Sequence, residues 1–236
     1  RHEELKRHIE SLWSADHASI QQCADCGLGF SHPFVGGDPD FYNLAYIRTP
    51  GYPRDRWEFQ RTLRELGGDS ASSNRSLKML EVGAGDGAFL AKLTEMGIQP
   101  SQITALDFSD SSLQKLRQKG FEARAESFAE SQFQDQFDYI FMFQVLEHMD
   151  RLDDVFERLA RSLTANGRAF ISVPNSARID LDESTQSLKD MPPNHLSRWQ
   201  PETFQKIVKR HGLQLHHHEL ESASLRMFIA SDLGYY

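Results

Sequence analysis

The glycine-rich run LEVGAGDGA at residues 80–88 constrains the fold of this 236-residue chain more than any other feature. It places Gly83, Gly85 and Gly87 where a buried strand must turn tightly into a helix, and side chains there would keep a ligand away from the backbone. Asp107 ends the next predicted strand, where its carboxylate can accept hydrogen bonds from two ribose hydroxyls. The run therefore predicts an α/β fold that binds a nucleoside at the carboxyl edge of its sheet.

The pattern beyond the glycine run alternates between buried strands and helices, which is typical of a parallel sheet with helices on both faces. Strands are predicted over residues 77–82, 103–108, 121–125, 137–143, 168–173, 213–220 and 225–230, and helices over 87–96, 109–119, 152–163 and 201–211. Helices are also predicted at 1–13 and 53–66, around a stretch at 20–30 that contains the two cysteines. Because residues 67–76 are rich in Gly, Ser, Asp and Asn, we divide the chain into an N-terminal cap, residues 1–67, and a ligand-binding domain, residues 68–236.

The glycine run also satisfies the dinucleotide pattern GxGxxA, so an NAD-dependent enzyme is a competing interpretation. Pyrophosphate is a dianion that binds at a helix N-terminus, and Glu81 and Asp86 would add negative charge beside it. A nucleoside sulfonium with an ammonium group is cationic at that end, so acidic residues suit it. The sequence therefore favours the sulfonium over NAD. A third interpretation is that the glycines only form a loop and bind no ligand, but the acid at the end of the second strand, Asp107, would then be a coincidence.

Five runs of the sequence resemble the motifs of class I S-adenosylmethionine (SAM)-dependent methyltransferases. They are EVGAGDG at residues 81–87, ALDFS at 105–109, FDYIFMFQVLEHM at 137–149, LTANGR at 163–168 and ISVPN at 171–175. The runs are similar to the branch that includes the ubiquinone-pathway O-methyltransferases and tailoring enzymes of sugars and natural products. The resemblance covers about residues 77–235 and implies a Rossmann-like, doubly wound, seven-stranded sheet of order 3-2-1-4-5-7-6. It also implies SAM as cofactor and S-adenosylhomocysteine as product, and it leaves the acceptor open.

The same resemblance implies a role for each motif residue. The glycines of the first motif would line the methionine portion, Asp107 would hold the ribose and Phe108 would pack on the adenine ring. Glu126 matches the position of an acid that faces the adenine amino group, with an exposed loop glutamate as the alternative, and Gln144 would supply backbone contacts near the methionine carboxylate. The predicted cofactor-binding residues are Glu81, Gly83, Ala84, Gly85, Asp86, Gly87, Asp107, Phe108, Glu126 and Gln144.

Two histidines are the candidates for catalysis. Methyl transfer from a sulfonium is an in-line displacement, so the enzyme aligns the partners and, for a hydroxyl acceptor, removes its proton. A base of near-neutral pKa suits that task, and His148 after the fourth strand and His195 after the fifth are expected over the same sheet edge. We predict that they form the catalytic pair. In the alternative, Glu147 and His148 cap a helix while His195 and Trp199 pack the loop.

A divalent metal is a further alternative at the same place. Glu147, His148 and His195 supply suitable ligand types, and the small-RNA 2′-O-methyltransferases have such a set at similar positions. Gln144 stands where that set has its first acid, which weakens the metal interpretation. We therefore expect no metal ion among these side chains.

The cysteine pair suggests a second kind of metal site. Cys23 and Cys26, in the run CADCG, have the form of a zinc knuckle, but a structural zinc site requires four ligands. Only His17 and His32 lie nearby as substitutes for a second pair. Two reduced structural cysteines are the expected state, and zinc at Cys23 and Cys26 is the alternative.

The resemblance implies that the aromatic-rich segment before the core forms a cap, which closes over the cofactor and excludes water. Packing of these aromatic residues on the sheet is the alternative. They are Tyr42, Tyr46, Tyr52 and Trp57. The histidines at residues 216–218 look like metal ligands, but they fall on a predicted strand whose successive side chains alternate faces, so they cannot converge on one ion.

Composition restricts the partners. The formal net charge is −8 with scattered lysines and arginines, which argues against a nucleic acid because such binding rests on clustered cations. No apolar run approaches the ~18 residues of a membrane span, and two cysteines suit a reducing compartment. We expect a cytoplasmic methyltransferase without nucleic-acid or membrane partners that acts on a small molecule, more at oxygen than at nitrogen or carbon. An RNA-end 2′-O-methyltransferase with a metal site and a catalytically silent binding subunit are the alternatives, and the oligomeric state is left open.

Overall fold

The computed structural model describes residues 2–45, 54–70, 77–184 and 187–221 of the chain. Its helices and strands, in chain order, are α1 (His2–Trp13), β1 (Ser19–Gln22), β2 (Gly29–His32), α2 (Pro39–Ala45), α3 (Trp57–Ser70), β3 (Met79–Val82), α4 (Ala88–Glu95), β4 (Ile103–Leu106), α5 (Asp110–Gln118), β5 (Glu122–Arg124), β6 (Phe137–Phe143), α6 (Leu152–Ser162), β7 (Leu163–Ser172), α7 (Ser176–Ser184), β8 (Ser197–Arg198) and α8 (Pro201–Arg210). Among these residues no helix combines the length and the apolar character needed to cross a bilayer.

A parallel sheet of five strands forms the centre of the protein, in the order β5-β4-β3-β6-β7. This order is the 3-2-1-4-5 part of the predicted topology. Strands β3 and β4 are buried along their whole length, since helices cover both faces and leave no solvent side for polar residues. The carboxyl ends of β3, β4 and β6 meet at one edge, which is where a doubly wound sheet binds its ligands.

Helices pack on both faces of this sheet, as the alternating pattern predicts. On one face, α3, α4 and α5 contribute to an aromatic-rich core in which the Phe89 ring lies 5.2 Å from Phe59 and 4.8 Å from Phe141. On the other face, α6 and α8 place Phe156 and Ile207 against β3 and β6. Helix α3 belongs to the predicted cap, yet its apolar side is part of the sheet's own core.

A second, antiparallel sheet joins distant parts of the chain in the order β1-β2-β8. Strands β1 and β2 form a hairpin around the cysteine pair, and Gly29 of β2 pairs with Arg198 of β8. The Ser31 amide also donates to the Leu196 carbonyl at 2.8 Å. The N-terminal segment therefore fixes the loop that follows β7.

Several predicted boundaries differ from the structure. The predicted strand at 213–220 is not formed: Leu213 packs against the core, but residues 214–221, including the histidines at 216–218, are exposed, so no apolar face is available to pair on the sheet. The predicted strand at 225–230, together with Tyr46 and Tyr52, lies outside the described residues. Strand β7 begins at residue 163 rather than 168, and α3 continues past residue 67 to Ser70.

Candidate functional site

The glycine turn after β3 exposes bare backbone at the ligand edge of the sheet. Gly83, Gly85 and Gly87 have φ values of 71°, 51° and 75°, in the left-handed region that favours glycine. A Cβ atom on Gly83 would lie 2.7 Å from Cγ2 of Val145, so a side chain has no room there. The amides of Gly83 and Ala84 both donate to the Leu106 carbonyl, at 2.8 and 3.0 Å, which ties the turn to β4.

Asp107 braces this turn from the end of β4. Its Oδ2 atom accepts a hydrogen bond from the Gly85 amide and its Oδ1 atom one from the Ser109 amide, each at 2.8 Å. A carboxylate oxygen that accepts one backbone N–H keeps a second lone pair, which suits a ribose hydroxyl. The Phe108 ring beside it is 74% exposed, so a flat apolar surface is available for a nucleoside base.

Two predicted cofactor residues have partners within the protein. The Asp86 carboxylate accepts from Ser112 Oγ at 3.2 Å and from Lys115 Nζ at 2.8 Å, which joins the glycine turn to α5. Glu126 lies 3.5 Å from the Arg124 guanidinium. Neither contact tests whether Asp86 and Glu126 bind the cofactor, so both roles stay predictions.

Glu81 is a buried carboxyl directly below the turn. It is 3% exposed, and its Oε2 atom has no hydrogen-bond partner among the described residues. Burial raises the pKa of Glu81 well above its ordinary value; the charge of Asp107 acts in the same direction and Arg56 opposes it. Burial therefore favours the neutral form of the carboxyl in the free protein, and a nearby ammonium group would favour its ionised form.

Replacing Glu81 by glutamine is expected to raise the melting temperature of the cofactor-free protein above pH 6 and to weaken cofactor binding. The pKa of Glu81 is higher in the folded protein than in the unfolded chain, where it is about 4.5. The carboxyl therefore lowers the free energy of unfolding as the pH rises above about 4.5. Glutamine has no such ionisation, so the difference in melting temperature between the two proteins should grow across a range that begins at about pH 5 and extends upward. Thermal unfolding across that range checks this, and parallel curves would contradict it.

Gln144 connects the ligand edge to helix α3. It has a φ of 54°, and its side-chain amide donates to Ser172 Oγ at 3.3 Å. Ser172 in turn donates to Glu58 at 3.3 Å, and Glu58 lies 3.6 Å from the Arg56 guanidinium. Sequence reasoning missed Arg56, Glu58 and Ser172, because only tertiary packing brings the start of α3 to Ser172 at the end of β7.

The structure brings His148 and His195 together beside the glycine turn. Their ring centroids are 4.7 Å apart. Glu147 lies beside them: one potential metal-binding atom from each of the three side chains lies within 4.8 Å of the other two. His148 Nδ1 lies 2.6 Å from the Asn194 carbonyl and 3.4 Å from the Tyr42 hydroxyl of α2. Burial lowers the pKa of His148 to about 4, with a further contribution from His195, so His148 is neutral near pH 7.

A buried ion pair orients His195. Its Nδ1 atom lies 2.9 Å from Oδ1 of Asp190, which is 4% exposed and which Arg178 contacts at 2.9 Å. Burial opposes ionisation of Asp190, but His195 and Arg178 outweigh it and hold the pKa of that carboxyl well below its ordinary value. Sequence reasoning missed Asp190, Arg178 and Asn194, which lie on α7 and in an irregular loop with no motif of their own.

Glu147 is the least accessible member of the group. It is 1% exposed, and neither carboxylate oxygen has a hydrogen-bond partner in the described part of the chain. Burial raises the pKa of Glu147 to about 8. The Glu147 carbonyl accepts the Leu196 amide at 2.7 Å, which fixes the His195 loop against this turn.

The cysteine pair lies away from this edge, in the β1–β2 hairpin. Both thiols are free; Cys26 is 6% exposed and packs in the same core as Trp199, while Cys23 is half-buried. Amides of Cys26 and Asp25 lower the pKa of the Cys23 thiol, and burial raises that of Cys26. Within the described ranges, only Glu147, His148 and His195 form a group of three or more metal-ligand side chains, so the cysteines have no further ligands there.

Residues 54–218 match the family described as "Methyltransferase domain". No curated protein matches the chain. Among solved structures, an S-adenosylmethionine-dependent methyltransferase from Mesorhizobium loti is 16% identical with a TM-score of 0.59, covering 77% of this chain and 93% of that one. A SAM-dependent methyltransferase from Archaeoglobus fulgidus is 17% identical with a TM-score of 0.52, covering 83% and 91%. At such low identity these likenesses show the shared fold alone.

Proposed function

The chain belongs to the methyltransferase domain family, and from that membership we propose that it transfers the methyl group of SAM to a hydroxyl of a small-molecule acceptor. SAM is the methyl donor that the family implies. The observation that carries the finer proposal is the pair of oriented imidazoles, His148 and His195, at the sheet edge beside the glycine turn.

The residues of the edge fit this donor. The bare backbone at Gly83 and Gly85 admits close approach, Asp107 retains lone pairs for the ribose hydroxyls, and the exposed Phe108 ring offers a surface for the adenine. The buried Glu81 carboxyl suits a cationic amino-acid end. When bound, SAM supplies a methyl group already activated on a sulfonium, so the protein has to position the acceptor and handle its proton.

The neighbours of the two Nδ1 atoms favour a hydroxyl acceptor. His148 Nδ1 is hydrogen-bonded to the Asn194 carbonyl, which favours a proton on Nδ1 and a lone pair on Nε2. His195 Nδ1 lies 2.9 Å from the Asp190 carboxylate, whose charge favours the same tautomer. A hydroxyl donates its hydrogen to such a nitrogen. As the acceptor oxygen bonds to the methyl carbon, the carbon–sulfur bond breaks with its electron pair on sulfur, and the hydroxyl proton leaves to the base.

The surroundings of the imidazoles favour a small molecule over an RNA end. Asp190 lies beside His195, and the neighbouring Arg178 is already bound to Asp190 and Asp182. A phosphate backbone would meet negative charge here, in keeping with the net charge of −8.

Two measurements test the proposal. Calorimetry with S-adenosylhomocysteine should show one bound molecule per chain, and labelled SAM should transfer its methyl group to a member of a hydroxylated-metabolite panel. Matched amine analogues and a short RNA in the same assay serve as controls. Binding of the product without transfer to any hydroxyl compound would indicate a silent binding subunit, and transfer only to amines or RNA would refute O-methylation of a small molecule.

A further inference from the structure

We propose that Glu147, His148 and His195 bind one divalent transition-metal cation, of the Zn²⁺, Co²⁺ or Mn²⁺ class, at the acceptor side of the site. The proposal rests on the proposed function in one respect: the cation would contact the oxygen of the proposed hydroxyl acceptor. The sequence argues against a metal here since Gln144 replaces an acid, but the geometry around the three side chains changes that interpretation.

The three candidate ligand atoms are close enough to share an ion. They lie within 4.8 Å of one another, on a turn after β6 and on the loop that β2 and β8 hold against it. Ligands at about 2.1 Å from one ion in tetrahedral geometry are about 3.4 Å apart. The side chains therefore need to approach one another by at most about 1.4 Å, which is within the reach of small side-chain rotations.

Both imidazoles are oriented as metal ligands normally are. A ligating histidine donates its second ring N–H to a carbonyl or a carboxylate, which fixes the tautomer and the ring direction. His148 has the Asn194 carbonyl at 2.6 Å for this purpose, and His195 has the Asp190 carboxylate at 2.9 Å. Arg178 in turn fixes Asp190 at 2.9 Å. This arrangement makes Nε2 the candidate ligand atom of both rings.

Glu147 supplies the independent observation. Its carboxylate is 1% exposed and neither oxygen has a hydrogen-bond donor in the described residues, a condition that costs free energy in a protein interior. Its neighbours at the cluster are imidazole nitrogens, with His148 Nε2 at 3.9 Å. Three groups with lone pairs thus face one another, and a shared cation offsets their desolvation and mutual repulsion.

Gln144 does not prevent this arrangement. Its side chain is bound to Ser172 and takes no part in the cluster, so the three remaining ligands would leave coordination positions open. Three protein ligands with an open position are typical of catalytic sites, and two imidazoles with one carboxylate suit first-row transition metals. Such an ion would lower the pKa of an acceptor hydroxyl that reaches it.

Cobalt titration of the chelator-treated chain tests the site without any need for turnover. We expect one Co²⁺ per chain with visible absorption bands, and a loss of affinity of at least about 10- to 100-fold in Glu147→Gln and in His195→Gln. Asp190→Asn, which removes only the orienting carboxylate, should weaken binding by about 10-fold. The triple variant H216Q/H217Q/H218Q is the matched control, since these exposed histidines are the obvious adventitious ligands.

Three outcomes would overturn the site: no stoichiometric Co²⁺, loss of the bands in the triple control variant, or unchanged bands in both Glu147→Gln and His195→Gln. Circular dichroism of each variant shows whether it is folded. Full methyl transfer by metal-free protein would refute the role at the acceptor while leaving the proposed function intact. Stoichiometric Co²⁺ binding to a chain that methylates nothing would support the site and refute the proposed function.

Discussion

Replacing Asp107 by alanine is expected to weaken S-adenosylhomocysteine binding by about 100-fold or more. The carboxylate accepts hydrogen bonds from the Gly85 and Ser109 amides, and in the proposed function it also accepts from two ribose hydroxyls. Hydrogen bonds to a charged group contribute about 1.5–3 kcal/mol each, so losing two of them amounts to about a 100-fold change or more in the dissociation constant. Isothermal calorimetry measures the effect directly.

Asp110→Ala is the matched control for this change. Asp110 is an exposed acid in the first turn of α5, close in the chain but without a contact to the glycine turn. Its removal should change the dissociation constant by no more than about threefold. Because Asp107 also holds the turn, the melting temperature of both variants must be compared. Cofactor affinity near that of the wild type in a folded Asp107→Ala protein would refute the nucleoside site.

The central sheet and the glycine turn could be predicted because their signals are local. The apolar run of β6 is bounded by polar residues on both sides, and the structure confirms its predicted limits, Phe137–Phe143. The left-handed φ values at Gly83, Gly85 and Gly87 likewise follow from the residue type. A strand that is buried on both faces and a turn that only glycine can adopt leave few alternatives.

The supporting residues of the site could not be predicted, because their positions depend on distant pairings. Asp190 and Asn194 reach the histidines only because β2 pairs with β8 and fixes the intervening loop. Nothing near Asp190 in the sequence distinguishes it from an exposed acid. At the histidine-rich run 216–218 the sequence instead predicts a strand that does not form. The structure leaves that run exposed and irregular.

His195→Ala is expected to reduce turnover by about 100-fold or more while changing cofactor affinity by no more than about threefold. His195 faces Asp190 and His148 at the acceptor side, and in the described part of the chain it has no hydrogen bond, ion pair or ring contact to the glycine turn or to Asp107. The side chain acts on the acceptor's proton, either directly or by holding the proposed cation. The expected result is therefore a separation of kcat from cofactor binding, measured with labelled SAM and by calorimetry with the product.

Two further variants determine what a loss of turnover in His195→Ala means. His217→Ala removes an exposed histidine from the irregular run and should leave turnover unchanged. Asp190→Asn keeps the imidazole but removes the negative charge that faces Nδ1 and favours a proton there, so turnover should fall while the dissociation constant of the product remains the same. Wild-type turnover in His195→Ala would remove His195 from the mechanism. An equal loss of cofactor affinity would mean that the histidine supports the fold of the ligand edge, because an effect confined to the acceptor cannot alter binding of a product that lacks it.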